Sequence, residues 1–359
     1  MLPSARFYAP AIVTRSMTTQ PSVKSGPLPA CPHRVSRRTP LGKAKDLAGA
    51  RRIARMYTRS MTAQAPIDTH ELRAMEVRGG NDAANDRLSV WGFEAYIYAL
   101  PHNNEPHGGD LRVVSTCAMG QIVRFTLADL AGHGSEAGDM ALRLRSLMRK
   151  NVNMPNPTLF ARALNKEFVR MAEGGRFATA IITTYFAPTD HLIVCNAGHP
   201  RPLLYHAPAY ESGPNDPRTW QLFDQSSSCV ISAENVKNTG ISNLPLGIIQ
   251  QTDYPQFATR LVAGDILLSY TDALIEASDL AGNQLGEQGL LGVVRRLGVD
   301  GLTPDQIGPA ILEAVAAHRA GKPADDDVTL LVMYHTATNP PDGVWDRLKA
   351  LGRLVGLVG

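Results

Sequence analysis

Two periodicities take turns along the chain from Leu88 to His335, and their order constrains the fold more than any other feature. Runs rich in β-branched and aromatic residues come in groups: "LSVWGFEAYIYAL" (88–100), "LRVVSTC" (111–117) and "QIVRFTLA" (121–128). Such runs read as strands. Two amphipathic stretches follow, at 135–150 and 157–173, with Met140, Leu144 and Leu147 marking one apolar face. Strand patterns return at 177–187 and 191–198, then at 257–270, before helix patterns near 287–297 and 304–320 and a last strand, "DVTLLVMY". Strict β-α-β alternation would predict a parallel sheet. Groups of strands alternating with pairs of helices predict largely antiparallel sheets covered by helices.

Glycine, proline and serine punctuate residues 206–243, which read as a loop-rich stretch. No domain-sized linker interrupts residues 76–335, so these residues read as one domain, large for a single core. The 44% hydrophobic and 19% charged content supply that core. No apolar run reaches the length of a membrane span. Four scattered cysteines (Cys31, Cys117, Cys195, Cys229) make no C-x-x-C pair, which argues against a zinc site and for a reducing, cytoplasmic setting.

The net charge of +3 is unevenly placed: residues 1–45 hold eight Lys and Arg and no acidic residue, so the remainder is net acidic. An acidic body argues against nucleic-acid binding. The basic Ser/Thr/Pro-rich segment suits a disordered extension, an organelle transit peptide or a start codon assigned too early. Residues 46–75 read as a short helix, "AKDLAGARRIARMYTRSM", with a linker, and 336–359 as an amphipathic tail. Self-docking, a partner or a membrane surface would each suit the tail.

The chemistry lies in carboxylates at strand ends. If 111–117 and 121–128 form a hairpin around Met119-Gly120, paired residues sum to 239, and Asp110 faces Asp129. Like charges directly opposite repel, unless one keeps its proton or both hold a cation. A shifted register, or solvation at the sheet end, would remove the conflict. The run "DILLSYTD" also ends on an aspartate, Asp272, and the last strand starts behind Asp325, Asp326 and Asp327. If those strands run antiparallel, their carboxylates meet at one edge. Each aspartate alone reads first as a turn residue or cap, and it is four at strand ends that could share one edge that point elsewhere. A carboxylate cluster without His or Cys suits Mg²⁺ or Mn²⁺, and such ions in pairs assist phosphoester hydrolysis.

In order, "HGGD", "LADLAGHG", "FATAIITTYFAPTDHLIVCNAGHPRPLL", "LPLGI", "AGDILLSYTDALIEA" and "DDVTLLV" resemble the SpoIIE/RsbU-like branch of the metal-dependent (PPM-type) serine/threonine phosphatases. The resemblance implies an α/β sandwich of two mainly antiparallel sheets flanked by helices. It implies hydrolysis of phosphoserine or phosphothreonine on a protein, in this branch of the anti-sigma-antagonist class, by water activated between two Mn²⁺ or Mg²⁺ ions. Carried over by motif, the metal ligands are Asp110, Asp129, the Leu130 carbonyl, Asp272 and Asp326, with Asp129 bridging. His133 takes a catalytic-acid or a structural role. Asn196 and His199 read first as turn and scaffold and second as a substrate edge, and Asp327 as a residue orienting a ligand or water.

Two departures stand out. Val113 lies where relatives often carry an acidic or aromatic residue, and Ala273 replaces a usual glycine, straining the turn if that position needs positive φ. A phosphatase fold that only binds a phosphoprotein, and a two-metal esterase for a small phosphate compound, remain rival readings. Regulation would come from a partner acting through the basic segment or the tail.

Overall fold

The computed structural model describes residues 67–72, 75–132, 135–171, 175–207, 220–224, 229–231 and 243–338. All belong to one compact unit, Lys45–Gly359. The basic segment, the helix expected within 44–61, His133 and nearly all of the tail lie outside the described residues.

Alternating side chains build two seven-stranded sheets. The strands in chain order are β1 (Asp68–Glu71), β2 (Val77–Gly80), β3 (Ala84–Val90), β4 (Phe93–Leu100), β5 (Leu111–Cys117), β6 (Ile122–Leu130) and β7 (Ala178–Phe186). They continue as β8 (His191–Ala197), β9 (Leu203–Tyr205), β10 (Trp220–Leu222), β11 (Cys229–Ile231), β12 (Gln256–Arg260), β13 (Ile266–Tyr270) and β14 (Val328–His335). One sheet has the order β1-β3-β4-β14-β13-β9-β10, the other β11-β12-β8-β7-β6-β5-β2. Every named pairing is antiparallel except β1 with β3.

The period of two separates the core into layers. On β14, Leu331 and Met333 join Phe93, Phe125, Leu127, Ile181 and Val194 in the cluster between the sheets. Their neighbours Leu330 and Val332 face the other way, into a cluster with Leu290, Val294, Ile307 and Ile311. Those residues come from α3 (Gly286–Leu297) and α4 (Pro304–His318), which cover the first sheet. The second sheet is covered by α1 (Ser135–Lys150) and α2 (Pro157–Met171), through Met140, Leu144, Phe160, Leu164 and Phe168. This is the helix-covered sandwich the element order predicts.

Three local expectations need correction. Residues 88–100 form two strands, with Val90 paired to Phe93 across a Trp91-Gly92 turn. Gly92 has φ +84°, and a Cβ there would stand 2.2 Å from the Tyr185 ring, so the turn needs glycine. The segment 46–75 contributes a strand, β1, in place of only helix and linker. The loop-rich stretch 206–243 contains two short strands, β10 and β11.

Candidate active site

The β5–β6 hairpin runs in the register that sums to 239, from Leu111 opposite Ala128 to Cys117 opposite Ile122. Its turn is a short 3₁₀ segment, Ala118–Gly120, closed by the Gln121 N–H donating to the Ala118 carbonyl at 3.1 Å. Asp110 lies one residue before β5, and Asp129 is the penultimate residue of β6. In the other sheet, β13 and β14 pair with Tyr270 opposite Leu330. Asp272, just after β13, therefore approaches Asp326 and Asp327, just before β14. Both strand pairs bring their aspartates to one end of the sandwich.

Asp327 ties the two sheets together there. Its Oδ1 accepts from the His102 N–H at 2.6 Å. Its Oδ2 accepts from Gly109 N–H at 2.5 Å and Asp110 N–H at 3.2 Å. The Thr271 hydroxyl, from the same sheet as Asp327, donates to Asp110 Oδ2 at 2.8 Å, and Thr329 adds a second side-chain bond. A carboxylate that accepts three backbone N–H groups is already well satisfied. Asp327 therefore holds the Gly108–Asp110 turn in place.

The two glycines of "GGD" make room for this. A Cβ on Gly108 would stand 2.5 Å from Asp327 Oδ2. A Cβ on Gly109 would stand 3.2 Å from the Leu130 carbonyl oxygen and 3.1 Å from that of Gly132. Gly132 has φ +104°, so the turn after Leu130 uses backbone that other residues rarely adopt.

The electrostatics follow from burial and like charge. Burial, then the nearby Asp129 carboxylate, pushes the Asp110 carboxyl well above its ordinary range, against the Thr329 and Thr271 bonds. Burial also raises Asp129 strongly, and the charges around it, Asp272, Asp326, Asp327 and Glu276, all push the same way. Asp272 is pushed up to about 6 by burial, Glu276 and Asp326. Six carboxylates, Asp110, Asp129, Asp272, Glu276, Asp326 and Asp327, thus act on one another from both sheets. Among the described residues, however, no three His, Cys, Asp or Glu side chains are gathered closely enough to enclose an ion by themselves. Asp326 is exposed on its turn, whereas Asp110 and Asp327 are buried.

The donor set itself is all oxygen: carboxylates, the Leu130 carbonyl and hydroxyls. The missing Cβ of Gly109 leaves space in front of that carbonyl. Hard oxygens around unneutralised charge fit Mg²⁺ or Mn²⁺ in chemistry.

Several contributors are not singled out by the sequence. Thr271 and Thr329 are polar residues inside apolar runs, and both serve Asp110. Glu276 follows Asp272 by four residues along the 3₁₀ turn Asp272–Leu274 and its continuation, a spacing that marks one face. Ala273 lies within that 3₁₀ turn and is not among the positive-φ residues, so the alanine causes no backbone strain. Val113 packs in the core beneath α1.

Asn196 and His199 form the scaffold expected of them. The Asn196 amide donates to the His199 carbonyl and its oxygen accepts the His199 N–H. His199 Nδ1 pairs with Thr179 Oγ1 at 2.9 Å, and Thr179 lies opposite Asp129 on β7. Burial drives His199 down to about 3, so it stays neutral at physiological pH.

A family model described as stage II sporulation protein E (SpoIIE) matches residues 120–218 and 220–336, more than half of the chain. The chain belongs to the SpoIIE family. The match takes in Asp129, Asp272 and Asp326, while Asp110 precedes it. The RsbU and RsbW domains of Rv1364c from Mycobacterium tuberculosis share 24% identity with this chain at a TM-score of 0.54. That match covers 71% of this chain and 64% of the other, so this chain spans less than two thirds of its length. The SiaA-PP2C domain of Pseudomonas aeruginosa shares 18% identity at a TM-score of 0.51, over 67% of this chain and 85% of that domain. Both likenesses are of fold, and both agree with the SpoIIE/RsbU-like, PPM-type sandwich. No helix among the described residues is long and apolar enough to cross a membrane.

Proposed function

We propose that this SpoIIE-family chain is a metal-dependent phosphatase that hydrolyses phosphoserine or phosphothreonine on a regulatory phosphoprotein of the anti-sigma-antagonist class. One observation carries the reading: carboxylates from both sheets, buried at Asp110 and half-buried at Asp129 and Asp272, meet at one sandwich end, and each raises the proton affinity of the next. Such an arrangement destabilises the fold unless a cation neutralises it. Asp110, Asp129, the Leu130 carbonyl, Asp272 and Asp326 would hold two Mn²⁺ or Mg²⁺ ions. When bound, such ions supply a nucleophilic water at neutral pH and offset charge on the phosphoryl oxygens.

The chain's own residues orient that chemistry. Asp129 reaches the site from a rigid central strand. Thr271 and Thr329 fix the Asp110 carboxylate, and Asp327 fixes its backbone. Neutral His199 braces Thr179 on the strand beside Asp129.

The test is turnover of p-nitrophenyl phosphate and of phosphoserine peptides during titration with Mn²⁺ or Mg²⁺. Rates that rise with metal and vanish with chelator support the reading. Equal rates in chelator would sink it.

A second reading is favoured by one observation, the absence of a closed three-ligand group among the described residues. In it, the fold binds a phosphoprotein without turning it over. Calorimetric metal or phosphopeptide binding with no hydrolysis of any phosphate ester would select this reading.

A further inference from the structure

Asp110 stands behind two glycines, and the peptide plane shared by Gly108 and Gly109 has no side chain on either side to restrain it. Hydrogen bonds must hold it instead. Its N–H, on Gly109, donates to Asp327 Oδ2 at 2.5 Å. Its oxygen, on Gly108, accepts from the Asn81 side-chain amide at 2.9 Å. In a trans peptide these two groups point in opposite directions. Asp327 and Asn81 thus grip one plane from its two sides. The Gly108 N–H also donates to the Asn81 carbonyl, at 2.7 Å, so both polar groups of Gly108 end on one residue.

Asn81 is itself fixed. It is 3% exposed, in the turn between β2 and β3 that passes from one sheet to the other. Its side-chain amide donates a second time, to the Gly138 carbonyl of α1 at 3.2 Å. Arg112 holds the residues on either side of Asn81. Its guanidinium donates to the Gly80 and Asp82 carbonyls at 3.1 and 2.6 Å. Arg112 is buried on β5, two residues beyond Asp110. The turn 80–82 therefore clasps the chain both before and after Asp110. Turning the Gly108–Gly109 plane would take the Gly109 N–H away from Asp327, which also accepts the Asp110 N–H. The anchor of Asp110 depends on a plane that Asn81 helps to hold. Asn81 is neutral, so it orders this turn without offsetting the carboxylate charge.

We propose that Asn81 is a positioning residue for Asp110. By locking the Gly108–Gly109 plane it keeps Asp327 on the Asp110 backbone and the Asp110 carboxylate set for a cation. The inference rests on the metal-dependent reading of the site and adds to it a residue of the β2–β3 turn.

The test compares the full-chain wild type with Asn81→Ala, the milder Asn81→Ser, and Tyr185→Phe at the far end of the sandwich. Calorimetry gives the Mn²⁺ Kd and the number of sites for each protein. Turnover of p-nitrophenyl phosphate gives the half-activating Mn²⁺ concentration and kcat. Both Asn81 variants raise the Kd and the half-activating concentration about tenfold, the effect of losing a partner behind a metal ligand. The number of sites is unchanged, and kcat at saturating Mn²⁺ stays within about twofold of the wild type. Tyr185→Phe leaves the Kd where it was. A residue that only stabilises the fold gives a different pattern: fewer sites and lower kcat from a smaller folded fraction, with the Kd unmoved. That pattern in the Asn81 variants overturns the proposal, and if Asn81→Ala does not fold, Asn81→Ser decides it. No Mn²⁺ uptake by the wild type overturns the metal reading and this inference with it. Uptake that the Asn81 variants leave unchanged overturns this inference alone.

Discussion

The two ends of β14 are both closed by buried polar groups that join the sheets, yet they are built on opposite principles. At the start of the strand, Asp327 and its neighbours assemble carboxylates that repel one another. At the other end, His335 is buried beside Tyr185 of the opposite sheet, with its Nε2 2.9 Å from the Tyr185 hydroxyl. The Tyr185 hydroxyl donates to Asp190 Oδ1 at 2.9 Å, and His335 Nδ1 pairs with the Val262 carbonyl at 2.9 Å. Asp265 nearby accepts the Ala207 and Val262 N–H groups. Burial pushes Asp190 up, but the His335 and Tyr185 bonds more than reverse this and leave it below its ordinary range. One end satisfies its own charges and the other does not. In the proposed function, a bound cation would complete the end that does not.

The largest effect should come from Asp129→Asn. If the site end needs a cation, turnover falls by about a thousandfold or more, equivalent to several kcal/mol of lost phosphoryl-charge stabilisation. The metal-free variant should melt no lower than the wild type, because one repelling charge is gone. Loss of turnover accompanied by a lower melting temperature would blur the contrast between the ends.

Next comes Asp327→Ala. It leaves the Gly109, Asp110 and His102 N–H groups without their acceptor. Denaturant unfolding should show a loss of about 3 kcal/mol. A change below about 1 kcal/mol would mean that the turn is held by other contacts.

Tyr185→Phe probes the self-satisfied end. It removes the donor to Asp190 and one partner of His335, at a cost of about 1–2 kcal/mol. Turnover should not change, since the hydroxyl lies at the opposite end of the sandwich. A parallel loss of activity would show that the two ends are mechanically coupled.

The smallest effect is a difference in sign with pH. Raised carboxyl values at the site end mean that the folded, metal-free protein binds protons more tightly than the unfolded chain. Their stabilising contribution is present at low pH and is lost as pH rises through about 6, the value for Asp272. The lowered Asp190 acts in reverse, contributing above the ordinary carboxylate range and losing that contribution as pH falls. Melting temperatures between about pH 2 and about pH 7, with chelator and with Mn²⁺, would separate the two. Metal should flatten the first dependence and leave the second.

Much of the site end is legible in the sequence because strand pairing is arithmetic. The sum of 239 sets Asp110 opposite Asp129 from residue numbers alone, and the apolar run into Asp272 marks where that strand stops. The helices are legible too, from their apolar faces. The β3–β4 hairpin is hidden because alternation passes unbroken through a two-residue turn, and what demands Gly92 there is a ring 93 residues away in sequence. Strands β9 to β11, three residues each, carry too short a pattern to read and exist through their partners. Thr271 and Thr329 escape notice because a lone hydroxyl in a strand reads as ordinary β propensity.

Gly108 and Gly109 work by what they lack. Replacing either with alanine adds one methyl and no charge, yet it would shove the Asp327 anchor or crowd the Leu130 oxygen. A survey of natural variants that watches only the acidic positions would score such a change as harmless, while the chamber they frame had been filled from within.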